Sequence, residues 1–202
     1  MDTPGVLIVP LSSSHIPVII SIADVQFGEG FFTPLSLEEY IAQSTPAGSS
    51  LSASMVAVKL GPAGDEIVIG FRIVILPGHW VPEQMYIPCS PSMWPCGKER
   101  AFAVAFGVAI AVDPPYAGQG VGSMLVAAVH RSLSNVGCVG IVAHIWASSL
   151  SAVALAKRLG AIFIAEHPAA WAALPPRYRC SVCTPKGFSR DQCDGIEVFY
   201  LL

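Results

Sequence analysis

From Ala101 to Val112 the chain runs for twelve residues without a polar side chain, AFAVAFGVAIAV, and is then stopped by Asp113-Pro114-Pro115. A membrane span needs about 20 such residues, so this run is too short to be one. A stretch this apolar, ended by prolines, reads as a β-strand buried on both faces. After the prolines comes YAGQGVG, with Gly118, Gly120 and Gly122, and then a helical pattern with Val121, Leu125, Ala128 and Val129 on one side. A buried strand, a glycine turn and a helix therefore succeed one another with almost no connection. Few folds other than a layered α/β domain accommodate that succession.

The rest of the chain supplies the remaining layers. GVLIVPL (5–11) reads as a strand, and apolar residues at helical spacing come next over His15–Phe27. A short helix, LEEYIAQ, is expected with Ser36 as its cap and acids in its first turn. ASMVAVKL and EIVIGFRIVIL flank GPAGD, which predicts an antiparallel hairpin. Pro77–Arg100 is rich in proline and is expected to be irregular. CVGIVAHIWA, AIFIAEH and GIEVFYLL are further strands. SSLSAVALAKRLG is a helix with serines at its start, Lys157 and Arg158 near its end and Gly160 as its stop. A hairpin succeeded by βαβ units predicts a mixed sheet in an α/β domain.

At 202 residues the chain fits a single domain, 1–202. Hydrophobic residues make up 53% of it and charged residues 12%. So little charge leaves apolar surface exposed, and a homodimer interface is one use for it. The net charge of −3, with no basic stretch, argues against a nucleic-acid partner. No basic segment precedes the first apolar run, so a secretory signal is not expected. The expected location is the cytoplasm, with reduced thiols.

The glycine turn has a definite chemistry. The first turn of a helix presents unpaired backbone N–H groups and the positive end of the helix dipole. Glycines remove the Cβ atoms that would keep a phosphate away. There is no lysine in the run, so this is not a P-loop. A tight turn with no ligand and a dinucleotide turn are the other readings of the spacing. The dinucleotide turn normally sits in the first βαβ unit, not after a hairpin.

V-D-P-P-Y-A-G-Q-G-V-G-S-M-L resembles the acetyl-CoA-binding segment of the GNAT acyltransferase superfamily, which typically reads V-x-P-x-Y/W-R-G-x-G-I/V-G-x-x-L. Val112, Pro114, Tyr116, Gly118, Gly120, Val121, Gly122 and Leu125 match, and Ala117 replaces the usual Arg or Gln. The family's next helix, N-x-x-A-x-x-L-Y-x-K-L-G-F, is similar to SSLSAVALAKRLGAI through Ala152, Leu155, Arg158, Leu159 and Gly160. The resemblance implies a mixed, mostly antiparallel sheet of about seven strands with a splayed central pair, flanked by about four helices. It implies acetyl-CoA as co-substrate and an amine acceptor of unknown identity, in a small molecule or a protein. Ile110, Ala111 and Val112 would pair with pantetheine. The turn Ala117, Gly118, Gln119, Gly120, Val121, Gly122 and Ser123 would receive the pyrophosphate. A catalytically silent acyl-CoA-binding or regulatory protein of the same fold is the alternative.

That alternative arises because the family's catalytic groups are not all here. Ala156 occupies the usual tyrosine position, Ser149 the usual asparagine position, and the strand before the glycine turn has no glutamate. Candidate bases are His144, in an apolar strand whose end approaches the cleft, and Glu99, ahead of the central strand. Each also has a plain structural reading, His144 as a core histidine and Glu99 as a solvated charge. Tyr178 and Tyr200 are candidate proton donors.

Cysteines supply one further motif. Cys180-x2-Cys183, with Cys193 after it, has the spacing of a zinc knuckle that lacks its fourth ligand. Asp191, Asp194 and His167 are near it in sequence. This segment, 168–195, precedes the last strand. Structural zinc there and reduced thiols there are both open readings.

Overall fold

The computed structural model describes residues 5–61, 64–85, 87, 89–170 and 193–202. Among the described residues seven strands form one sheet in the order β1-β2-β3-β4-β5-β7-β6. They are β1 (Val6–Pro10), β2 (Met55–Leu60), β3 (Glu66–Ile75), β4 (Val104–Val112), β5 (Gly140–Trp146), β6 (Ile162–His167) and β7 (Gly195–Leu201). Only the central neighbours β4 and β5 run parallel; every other pair is antiparallel. Among the described residues there are four α-helices, α1 (Ile16–Gln26), α2 (Pro34–Gln43), α3 (Val121–Asn135) and α4 (Leu150–Arg158). None is long and apolar enough to cross a membrane.

The helices form two layers. On one face, Ile16, Ile19, Ile22 and Ala23 of α1 and Leu37 of α2 pack on Val56, Val58, Phe71, Ile73 and Ala111. Farther along that face the irregular segment takes over, and Trp94 and Trp80 cover Phe106, Val142 and Phe199. On the opposite face, Val121 and Leu125 of α3 meet Ala57 and Ile69. Val129 and Leu133 of α3 and Ala156 of α4 meet Ala105, Ile141, Ala143 and Val198. Strand alternation accounts for this division, since neighbouring residues point to opposite faces.

α2 begins three residues before its expected start. Its cap is Thr33, which accepts a bond from the Ser36 backbone while the Ser36 hydroxyl accepts from the Thr33 N–H. Ser36 is thus the third residue of a reciprocal capping pair, and Pro34 fits the first turn because its missing N–H has no helical partner there. β4 is shorter than its apolar run, because Lys98–Ala103 winds into a 3-10 turn.

Candidate functional site

β4 and β5 are paired only from Val104–Gly140 to Gly107–Ala143. Beyond that point each strand turns to its other neighbour. β4 stays on β3 as far as Val112, and β5 stays on β7 as far as Trp146. Their facing edges, Val108–Val112 and His144–Trp146, are not paired to each other. A bulge begins the separation. Ile73 faces Ala109 but Val74 faces Gly107, so Val108 is the extra residue, and such a bulge bends a strand and leaves one residue unpaired. It also reverses the alternation, turning Ala109 and Ala111 toward α1 and Ile110 and Val112 toward α3. The Val112 carbonyl is already used, accepting from Gln26 Nε2 of α1 at 2.9 Å.

The glycine turn closes the wide end of this gap. Gly118 (φ 76°) and Gly120 (φ 86°) are in the left-handed region, where a side chain is strained. Gly120 ends the turn as the N-cap of α3 and offers no side-chain bond to the helix. Gly122 is different. A Cβ there would meet only Leu155 Cδ2 at 3.5 Å and Val112 Cγ2 at 3.9 Å, ordinary contacts, and its φ is not left-handed. Nothing in the protein itself requires glycine at this position. No acid stands in the first turn of α3, so its N–H groups and dipole face outward uncompensated. Gln119 folds back onto the turn, its Nε2 donating to the Pro115 carbonyl at 3.0 Å. Tyr116 packs beneath, with Val121 and Leu125, and Lys59 Nζ lies 5.8 Å from its ring centroid.

A second cation reaches the turn from outside the motif. Arg158, in the last turn of α4, donates from Nη2 to Ser123 Oγ at 2.9 Å. It thereby sets a guanidinium beside the first turn of α3, next to a motif in which Ala117 carries no charge. The spacing of the glycines could not reveal this, because Arg158 lies 35 residues beyond Ser123.

His144 is the first residue of β5 past the end of pairing, and it points to the α1/α2 face, its ring 5.8 Å from that of Phe106. Directly across β7 is Glu197, and His167 closes β6 opposite Gly195. Glu197 is completely buried. Its Oε1 accepts from Trp94 Nε1 at 2.7 Å and from the Ser90 N–H at 3.0 Å, and its Oε2 lies 3.1 Å from His167 Nε2. Burial pushes the Glu197 carboxyl up, but the bonds from Trp94, Ser90 and His167 outweigh it and hold it below the usual carboxylate range. Burial brings His144 down to about 4, against an upward pull from Glu197 and with a smaller downward push from His167. Its Nε2 is buried and has no hydrogen-bond partner.

Glu99 is not brought into this group. It is exposed, in the 3-10 turn before β4, at the opposite end of the strand from the gap. Trp80 and Trp94 are packed cover, and Trp94 has a polar task as well, as donor to Glu197. Tyr200 sits opposite Ile141, two residues short of the gap, on the α3 face. There it meets His130, ring to ring at 5.2 Å, and Arg72, whose Cζ is 6.0 Å from its centroid. Arg72 is buried, and its Nε and Nη2 have no hydrogen-bond partner. Cys193 is disulfide-bonded, so its sulfur is not a thiolate that could ligate zinc unless the bond is first reduced. Cys180, Cys183, Asp191 and Tyr178 lie outside the described residues.

Glu197 was out of reach of sequence reading because a single acid in an apolar strand has no pattern. The one available signal was its position, in a strand that is otherwise apolar, GIEVFYLL.

A gap between two parallel strands, closed by a glycine turn at a helix start, is the arrangement that the resemblance to the acyltransferases implies. Residues 57–161, half of the chain, match the model of the Acetyltransferase (GNAT) family. The chain belongs to that family, and its enzyme class is acetyltransferase. No curated protein sequence matches it. Among solved structures it is similar to Ard1 from Thermoplasma volcanium, with a TM-score of 0.65 at 15% identity over 98% of each chain. It is also similar to the ribosomal-protein-S18-alanine N-acetyltransferase from Escherichia coli, with a TM-score of 0.61 at 15% identity over 97% of this chain and 93% of that one. Naa50 from Arabidopsis thaliana, in complex with the bisubstrate analogue CoA-Ac-MVNAL, gives 0.60 at 15% over 98% and 99%. At such identities these likenesses concern the fold.

Proposed function

We propose that this protein transfers an acetyl group from acetyl-CoA to a primary amine by direct attack, with His144 as the proton acceptor. The observation that carries the reading is the end of β4–β5 pairing at Gly107–Ala143, with a histidine as the next residue of β5. Acetyl-CoA supplies an activated thioester. The edge of Val108–Val112, apart from the Val112 carbonyl held by Gln26, offers backbone groups to an extended amide chain such as pantetheine, in the manner of an added strand. The Gly118–Ser123 turn offers N–H groups to the pyrophosphate, and Gly122 adds no Cβ to the backbone it would approach. Arg158 adds the positive charge that Ala117 does not.

On the α1/α2 face, His144 stands where an amine entering the gap would lose its proton. The amine nitrogen forms the new C–N bond and the carbon–sulfur bond breaks. The proton passes to the His144 ring, and the electron pair leaves with sulfur. Buried Glu197 stabilises the resulting imidazolium electrostatically. The sulfur leaves as a thiolate that solvent can protonate, so the step balances without a protein donor at position 156. Holding the two reactants in line supplies most of the acceleration.

Calorimetric titration with acetyl-CoA, with NAD as comparison, is the first test. Saturable binding of acetyl-CoA alone is expected. Acceptors are then screened beginning with peptide α-amines, since the Naa50 structure holds a peptide analogue, and continuing to small primary amines. For an accepted amine, His144→Gln is expected to lower kcat by roughly 10²–10⁴ while leaving acetyl-CoA affinity unchanged. Unchanged kcat would remove His144 from the chemistry. Saturable binding without turnover on any amine would favour the silent acyl-CoA-binding reading, for which Ala156 already speaks.

A further inference from the structure

We propose that His144, His167 and Glu197 form a binding site for one divalent transition-metal ion, with zinc the best match. Three adjacent strands contribute one donor each on the same face of the sheet. His144 and Glu197 are direct cross-strand neighbours. His167 is diagonal to Glu197, over Gly195, which has no side chain to fill the space between. One donor atom from each residue lies within 4.8 Å of the other two.

Two features meet there. Glu197 Oε1 accepts from Trp94 and the Ser90 N–H, while Oε2 faces His167 at 3.1 Å, so the carboxylate turns one oxygen toward the two histidines. His144 has a buried ring nitrogen with no partner. Leaving such a group unmatched is costly in a buried site, and a cation satisfies it. With the two imidazoles neutral, the group carries the single negative charge of Glu197.

The donor set selects the ion. Two imidazoles and one carboxylate suit zinc, whose bonds to them are about 2.0–2.1 Å, and leave the fourth tetrahedral position open. Neighbouring donors in such a tetrahedron are about 3.3 Å apart, and the His167–Glu197 separation of 3.1 Å is already close to that. Trp94 and Ser90 hold the far oxygen of the carboxylate, the kind of outer support that orients metal ligands. Calcium and magnesium take oxygen donors and are poorly matched. His167 is 18% exposed and provides the way in. An ion here occupies the His144 lone pair, so zinc inhibits acetyl transfer reversibly. That consequence, unlike the site itself, depends on His144 being the proton acceptor.

The test is titration of the metal-free full chain with Zn²⁺ by calorimetry and with Co²⁺ by absorption. One equivalent is expected to bind. The cobalt spectrum should show visible d–d bands without a sulfur-to-cobalt band in the near ultraviolet. His167→Gln and Glu197→Gln are each expected to weaken binding by about 100-fold or more, and Trp94→Phe by roughly 10–100-fold. If Glu197→Gln does not fold, His167→Gln, at the end of edge strand β6, decides alone. No zinc binding by the wild type, unchanged affinity in His167→Gln, or a sulfur-to-cobalt band overturns the site. None of these outcomes touches the proposed transfer reaction. Zinc binding that leaves turnover intact supports the site and counts against His144 as proton acceptor.

Discussion

Three glycines that look alike in the sequence do different work. Gly118 and Gly120 meet a demand of the backbone, whereas Gly122 meets none. Gly120→Ala is therefore expected to destabilise the fold by about 1 kcal/mol or more, since it puts a side chain in the left-handed region. Gly122→Ala should unfold at a temperature no lower than the wild type, since alanine fits there without strain, and still bind acetyl-CoA more weakly. Gly122→Asp adds negative charge at the same place and should abolish binding. Thermal unfolding and calorimetry on the same samples separate the two effects. Equal acetyl-CoA affinity in Gly122→Asp and wild type would remove the pyrophosphate from this turn.

The elements matter through where they end. β4 and β5 part after four paired residues each, and α4 ends so that Arg158 reaches Ser123 on α3. A bond between the end of one helix and the start of another brings opposite helix ends together at the proposed pyrophosphate site. Arg158→Gln is expected to leave the unfolding temperature unchanged, because a single exposed polar contact is worth little. It should raise the dissociation constant for acetyl-CoA by roughly 3–10-fold, and the loss should shrink at high salt. An unchanged dissociation constant at low salt would show that Arg158 serves Ser123 alone.

At the scale of the molecule, one buried polar group lies between α3 and the sheet. Arg72, His130 and Tyr200 are in mutual reach there. Burial, assisted by the charge of Arg72, brings His130 down to about 4. The unfolded chain takes up this proton near pH 6.5, before the folded one does. Stability is therefore full above about pH 6.5 and falls as the pH drops toward 4. His130→Gln should remove roughly 1–2 kcal/mol of that loss after allowance for partial exposure. Chemical denaturation at a series of pH values measures it, and an identical pH slope in both proteins would show that His130 does not titrate with unfolding.

What the sequence by itself determined is local. The apolar run and its prolines specify β4, the glycines specify the start of α3, and the hairpin and the helix stops are equally plain, because each depends on neighbours a few residues away. His144 was recognisable as a candidate, since it interrupts an apolar strand near the expected cleft. Tertiary structure alone decided the rest. It placed Glu197 and His167 beside His144, brought Arg158 to the glycine turn and left Glu99 at the wrong end of its strand. Those outcomes depend on strand order, register and a single bulge at Val108. Register is set by the packing of all seven strands together, so it is a property of the assembled sheet and is not written in any one segment of the chain.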